Sequence, residues 1–251
     1  MNNYNPFSLY GKTVLITGAS SGIGQATAIE CSKLGAKVLI TGRNEERLQE
    51  TLAMMDGTGH RYFIADLSIE EDIEKLVTEL PMINGLVNNA GFSIMNPIQF
   101  INLEKTNSIL NVNLIAPILL VQKIIKKKKM NKESSIVFTT SIAGYGCPSP
   151  GNSLYSASKG GLNAFMKNAA LELSAKSIRC NAVLPGMVET PLKDGRSSIT
   201  EEQWEINKQL YPLKRFGKPK DIALAIVYLL SDASSWMTGA ELIIDGGRTL
   251  K

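Results

Sequence analysis

Short apolar runs alternate along this chain with longer stretches in which apolar residues recur every three or four positions. The short runs, rich in β-branched and aliphatic residues and bounded by Gly, Asn and Asp, predict strands. One opens at Val14 and runs into the glycines of Val14–Gly24; the others are Ala36–Thr41, Arg61–Ala65, Gly85–Asn88, Ser135–Thr140, Ile178–Leu184 and Glu241–Ile244. The periodic stretches predict helices over Gln25–Leu34, Glu45–Met55, Glu70–Leu80 with Ser68 as N-cap, one long helix Leu103–Lys129, Leu154–Ala175, Glu201–Gln209 and Asp221–Leu230. Strands alternating with helices imply crossovers, because parallel neighbours need a long connection. The expected fold class is therefore α/β: a single-domain, Rossmann-type, doubly wound parallel sheet of about seven strands with helices on both faces. No internal repeat or linker composition divides residues 1–251. Between Pro185 and Pro219 the pattern gives way to Gly, Pro and charge, so a substrate lid is expected at about 190–212.

Sheets of this kind bind ligands at the carboxyl ends of their strands. The first such end carries Gly18, Gly22 and Gly24 and opens into a helix, whose unpaired N–H groups and positive dipole end suit a pyrophosphate. The spacing G-x-x-x-G-x-G differs from the general dinucleotide fingerprint, and by itself it also fits an ordinary glycine-rich turn. About twenty residues on, where such sites contact the adenosine ribose, Arg43 stands in place of an acid. An arginine there favours a 2′-phosphate, so NADP(H) is expected over NAD(H). Asn88-Asn89-Ala90-Gly91 ends the fourth strand with small and amide residues suited to the same crevice. Tyr155 and Lys159 lie one helical turn apart and share a face. An ammonium about 4 Å from a phenol in a partly shielded site is worth roughly 4 kcal/mol, enough to bring a tyrosine from about 10 toward neutrality.

Composition narrows the field. With 44% hydrophobic and 20% charged residues the chain is of the globular class. Its longest uncharged apolar stretch, Leu114–Val121, is too short to span a bilayer and contains Pro117. Met1–Tyr10 lacks a basic region followed by an apolar core, so no secretory signal is expected and the location inferred is cytoplasmic. Three cysteines, Cys31, Cys147 and Cys180, without C-x-x-C spacing read as buried free thiols, and the lone His60 argues against a histidine triad or a metal centre. The net charge of +4 is not gathered in aromatic-interleaved patches, which speaks against nucleic acid. Lys126–Lys129 reads either as a solvated helix end or as a docking patch for an acidic acyl-carrier protein.

Together these motifs make the chain similar to the short-chain dehydrogenase/reductase family over nearly its whole length. The residues that carry the resemblance are Thr17-Gly-Ala-Ser-Ser-Gly-Ile-Gly24, Asn88-Asn-Ala-Gly91, Asn113, Ser141, Tyr155-x-x-x-Lys159, Pro185-Gly-Met-Val-Glu-Thr190 and Asp245-Gly-Gly247. The resemblance implies a catalytic tetrad of Asn113, Ser141, Tyr155 and Lys159. Tyr155 would protonate a ketone oxygen or deprotonate an alcohol, and Ser141 would hydrogen-bond that oxygen. Lys159 would lower the tyrosine pKa and bind the nicotinamide ribose, and Asn113 would hold a relay water. It also implies cofactor contacts from Gly18, Ser20, Ser21, Gly22, Ile23 and Gly24. Asp66 and Leu67 would flank the adenine, Asn89, Ala90 and Gly91 the adenosine side, and Pro185, Gly186, Val188 and Thr190 the carboxamide end. A homotetramer pairing the long helices on either side of the fifth strand is implied as well. Ser21 stands where NADP-preferring relatives often carry a base. Ser141 and Tyr155 are 14 residues apart, about one more than the pattern, which points to an insertion in the loop Tyr145–Ser153. Phe92 and Leu171 replace two arginines expected of 3-oxoacyl-carrier-protein reductases. The reaction read is NADP(H)-dependent reduction of a ketone, of 3-oxoacyl or another type. Oxidation of a sugar, polyol or other secondary alcohol, and a non-enzymatic nucleotide-binding scaffold, stand as alternatives.

Overall fold

A computed structural model describes residues 4–190 and 200–250. In chain order its elements are β1 (Thr13–Thr17), α1 (Gly22–Lys33), β2 (Lys37–Gly42), α2 (Glu45–Ala53), β3 (Arg61–Ile64), α3 (Glu70–Glu79), β4 (Ile83–Asn88), α4 (Leu103–Leu110), α5 (Ala116–Lys126), β5 (Met130–Thr139), α6 (Ser153–Leu173), β6 (Arg179–Pro185), α7 (Glu201–Gln209), α8 (Pro219–Leu230) and β7 (Glu241–Ile244). The seven strands form one parallel sheet in the order β3-β2-β1-β4-β5-β6-β7. The chain winds outward from β1 to β3, then crosses back to β4 and winds the other way. Between β1 and β4 the connections leave in opposite directions, and the carboxyl ends there open into a crevice.

Alternation along the strands fills two cores. Leu15, Leu39, Leu86, Ile136 and Phe138 face one way, onto Ile73, Leu76, Leu120, Leu162 and Met166 of α3, α5 and α6. Their neighbours Val14, Ile16, Val38, Ile40, Val87 and Val137 face the other way, onto Ala28, Leu48, Ile226 and Val227 of α1, α2 and α8. A sheet covered on both faces needs apolar residues at successive positions, which is why these strands read as continuous apolar runs.

Four local expectations are corrected. The helical run expected over Leu103–Lys129 stops at Lys126 and is divided by a π turn, Asn111–Ile115. Lys128 takes a positive φ of 53°, and β5 begins at Met130, five residues before the expected strand. The N-cap of α3 is Ile69; the Ser68 hydroxyl bonds the Asp66 carboxylate at 2.7 Å instead. Cys31 and Cys180 are buried, but Cys147 is only half-buried. Within Lys126–Lys129, Lys127 pairs with Glu74 and Lys129 donates to the Leu80 carbonyl at 2.6 Å. Half of the basic run is thus tied to α3, which weakens it as a docking patch. By length and composition the helical run Leu103–Lys126 could cross a membrane, although Leu114–Val121 by itself is too short. Here Leu120, Val121 and Ile124 lie in the core beneath it.

Candidate active site

The glycine turn, Arg43, Asp66, Asn88–Gly91, Ser141 and Pro185–Thr190 end or follow strands at their carboxyl ends, while Asn113, Tyr155 and Lys159 come from the π turn and α6. Gly18 (φ 65°) and Gly22 (φ 58°) take backbone conformations that a side chain disfavours. A Cβ on Gly18 would come within 2.8 Å of the Ala90 backbone, and one on Gly24 within 2.3 Å of the Gly18 carbonyl. One on Gly22 would meet the Thr190 methyl at 3.1 Å. The glycines therefore bring three strand ends together, those of β1, β4 and β6. Ser21 is the N-cap of α1 but makes no side-chain cap bond, so its hydroxyl leaves the helix N-terminus open to an anion. Ser20 lies against Gly42 at the end of β2, and Ile23 packs on the second core.

Thr17, which sequence reasoning passed over, is the hub of this corner. Its Oγ1 accepts the N–H groups of Asn89 and Ala90, each at 3.0 Å, and the Asn89 amide donates to the Thr17 and Gly18 carbonyls at 3.1 and 3.3 Å. Its signal lay in the glycine motif itself, which it opens.

Lys159 is 4% exposed and donates to the Thr139 carbonyl at 2.9 Å. Its ammonium stands 5.8 Å from the centre of the Tyr155 ring. Burial pushes its pKa down to about 8. Asn113, on the π turn, is fully buried: its amide donates to the Phe92 carbonyl at 2.8 Å and the Ser158 hydroxyl at 3.1 Å, while Oδ1 accepts the Phe92 N–H at 3.0 Å. One lone pair of Oδ1 is left over. A Cβ on Gly91 would fall 3.0 Å from Asn113 Oδ1 and 3.2 Å from Lys159 Nζ, so Gly91, Asn113 and Lys159 meet at one point. Ser158, inside the Tyr155–Lys159 motif yet not marked in the sequence, joins that cluster to the Tyr155 carbonyl at 2.7 Å.

Ser141 follows β5 and is 8% exposed; its Oγ accepts the Ala143 N–H at 3.2 Å and keeps its own hydrogen to give. The next turn, Ile142–Gly144, lies flat on α6, since a Cβ on Gly144 would stand 2.5 Å from the Gly160 nitrogen. That approach sets Ser141 relative to Tyr155 and Lys159. The loop with the extra residue is clasped to the segment after Gly91 by Asn96 N–H to the Gly151 carbonyl at 2.7 Å and by Ser93 to Asn152 at 3.3 Å.

At the outer strand ends, Arg43 is 78% exposed and stands 4.0 Å from Asp66. Burial raises the Asp66 carboxyl, but two bonds from Ser68 and the Arg43 charge outweigh it and hold the pKa below the usual range. Leu67 packs against the first core. Beyond β6, Val188 bridges to Gly217 and Gly186 donates to the Ile244 carbonyl at 3.0 Å. The lid expected at about 190–212 lies partly outside the described residues.

These residues fit a dinucleotide. The glycines let the strand ends pack tightly around the open N-terminus of α1, which an anion can approach. Among the described residues, buried side-chain atoms without a hydrogen-bond partner are Thr41 Oγ1, Asn88 Nδ2 and Thr139 Oγ1 at strand ends, and Asn163 Oδ1 within α6. Such atoms cost about 1–3 kcal/mol each when left unmet.

A doubly wound sheet with this turn and a buried lysine beside a tyrosine defines a nicotinamide-dinucleotide oxidoreductase. Residues 18–249 match the family model described as enoyl-(acyl carrier protein) reductase. The chain is 37% identical to glucose 1-dehydrogenase of Gluconobacter oxydans over 96% of its length and 92% of that protein. It is 36% identical to 3-oxoacyl-(acyl-carrier-protein) reductase of Thermotoga maritima over 95% of its length and 98% of that protein. Among solved structures it superimposes on a putative short-chain alcohol dehydrogenase of Sinorhizobium meliloti with a TM-score of 0.89 at 33% identity, covering 98% of this chain and 100% of the other. It superimposes with a TM-score of 0.88 at 29% identity on a putative 2-deoxy-D-gluconate 3-dehydrogenase of Agrobacterium tumefaciens with bound NADP, covering 99% and 100%. The chain belongs to the short-chain dehydrogenase/reductase family, in its 3-oxoacyl-carrier-protein-reductase-like branch, and is an NAD(P)-dependent oxidoreductase acting on C=O and CH–OH groups.

Proposed function

We propose that the protein reduces a ketone, of 3-oxoacyl or another type, to a secondary alcohol with NADP(H). The observation that carries this reading is the meeting of Lys159, Asn113 and Gly91 beside the Tyr155 ring, with Arg43 at the end of the second strand. When bound, the dinucleotide supplies the hydride. Tyr155 gives its phenol proton to the carbonyl oxygen, and the Ser141 hydroxyl donates to the same atom. The charge on Lys159 favours the phenolate that remains, and its N–H groups take the ribose hydroxyls. Asn113, with one lone pair left, holds the water through which the proton is replaced. The glycine turn with Ser20, Ser21 and Ile23 receives the pyrophosphate, and Asp66, Leu67 and Asn89–Gly91 the adenosine. Pro185, Gly186, Val188 and Thr190 receive the carboxamide.

Arg43 selects NADP(H), because a guanidinium pairs bidentately with a phosphate. Arg43→Ala is expected to weaken NADPH binding about tenfold or more while leaving NADH binding unchanged. Tighter binding of NADH than of NADPH by the unaltered protein, in a fluorescence titration, would overturn the preference. Tyr155→Phe is expected to lower turnover of a β-keto ester by about 10²–10⁴-fold with NADPH binding retained.

A second reading, oxidation of a sugar or other secondary alcohol by the same residues, is favoured by the likeness to glucose 1-dehydrogenase. Specificity constants for a β-keto ester with NADPH and for glucose with NADP⁺ separate the two. We further propose a homotetramer built on α4–α5 and α6, which expose Leu103, Ile115 and Leu171.

A further inference from the structure

Tyr211 ends the return of the chain from α7, and it is 6% exposed. Its hydroxyl accepts the Met187 N–H at 3.0 Å. A Cβ on Gly186 would lie 3.2 Å from its ring, and one on Gly246 would lie 3.4 Å away, so the ring fills space that glycines at the ends of β6 and β7 leave open. Pro212 is seated the same way, with a Cβ on Gly247 falling 2.7 Å from its ring. Alongside, Gly217 N–H donates to the Met187 carbonyl at 2.9 Å and Glu189 N–H to the Gly217 carbonyl at 2.8 Å. On its other side Tyr211 meets Phe216 edge-on at 5.4 Å, and Phe216 meets Trp204 of α7 edge-on at 5.5 Å. Lys208 of α7 stands 6.0 Å over the Phe216 ring. No residue of α7 is fully buried, so these aromatic contacts matter for where the helix sits.

We propose that Tyr211 is a positioning residue for the cofactor. Its hydroxyl holds the Met187–Thr190 backbone in the shape that receives the nicotinamide end, and the chain Tyr211–Phe216–Trp204 ties that shape to the position of α7. This rests on the reading of Pro185–Thr190 as the carboxamide contact. The contacts of Tyr211 with Gly186, Met187, Phe216 and Gly246 place its effect on cofactor affinity and not on the chemical step.

The test compares Tyr211→Phe, which keeps the ring, with Trp204→Ala, which releases α7, and with the double variant. NADPH affinity is read by fluorescence titration, and kcat and KM are read with a β-keto ester. Tyr211→Phe is expected to raise the Kd and KM for NADPH about fivefold while kcat at saturating cofactor stays within about twofold. Trp204→Ala is expected to act in the same direction, and the double variant to fall short of the product of the two effects, because they share one path. An unchanged Kd and KM in Tyr211→Phe, or a fall in kcat at unchanged KM, overturns the positioning role. Effects that simply multiply overturn the link to α7. If the unaltered protein binds no dinucleotide, the underlying function fails instead, and the two failures are told apart by that control.

Discussion

Lys159 carries a charge in a place that disfavours it. Burial brings its pKa to about 8, against about 10.4 for an exposed lysine. Between those values the unfolded chain holds a proton that the folded protein does not, so this group makes stability rise with pH across that window. Below about pH 8 the full cost of the buried ammonium, roughly 3 kcal/mol, is present, and above about pH 10.4 it is gone. Lys159→Met is therefore expected to be inactive yet more stable than the unaltered protein at pH 7, with the difference shrinking from pH 8 to 10. Urea unfolding across that range checks it, and a difference independent of pH would contradict it. Activity runs the other way. Reduction by the free enzyme is expected to fall as pH rises past about 8, because the charge that tunes Tyr155 is lost. Burial raises the pKa of the Cys180 thiol to about 12 and that of Cys31 still further, so a thiol reagent at neutral pH should modify Cys147 first.

At the scale of elements, the tetrad depends on how closely α6 approaches the turn after β5. Gly144→Ala would press a methyl against the Gly160 backbone at 2.5 Å, where no side chain can rotate away. A loss of about 1–3 kcal/mol is expected, together with lower turnover as Ser141 moves from Tyr155. Thermal melting and kcat check both; an unaltered kcat in a destabilised variant would detach the contact from catalysis. This approach was not legible in the sequence, because Gly144 and Gly160 are far apart along the chain and each looks like an ordinary flexible residue. The π turn at Asn113 was equally hidden: it inserts a residue without ending the helical run, and no residue type in Leu103–Lys126 marks it. The strands other than β5, by contrast, were read to within two residues of their ends, and the inner ones are continuous apolar runs because both of their faces are covered.

For the whole molecule, α4–α5 and α6 present large apolar side chains to solvent, Leu103 at 74% and Leu171 at 77% exposed. Isolated exposed leucines are common, but these fall on the helices expected to pair. Sedimentation is expected to give a tetramer, and Leu171→Glu to shift it toward smaller species; a monomer in the unaltered protein would end the proposal. The same assembly bears on the substrate, because α6 carries both Leu171 at its end and Tyr155 at its start.

The winding of the sheet, the line of strand ends and the residue types along it were all written in local pattern. Alternation, glycine spacing and helical spacing are each properties of neighbouring residues. What the chain order could not express is which distant groups meet. Thr17 clamps Asn89 and Ala90, Ser158 holds Asn113, the Thr139 carbonyl receives Lys159, and Tyr211 reaches Met187. Each is a hydrogen bond between strand ends or helices that only the packed sheet brings within about 3 Å. Burial belongs to the same class. A lysine one turn from a tyrosine is visible in the sequence, whereas the desolvation that brings its pKa to about 8 exists only once α6 has closed over the crevice.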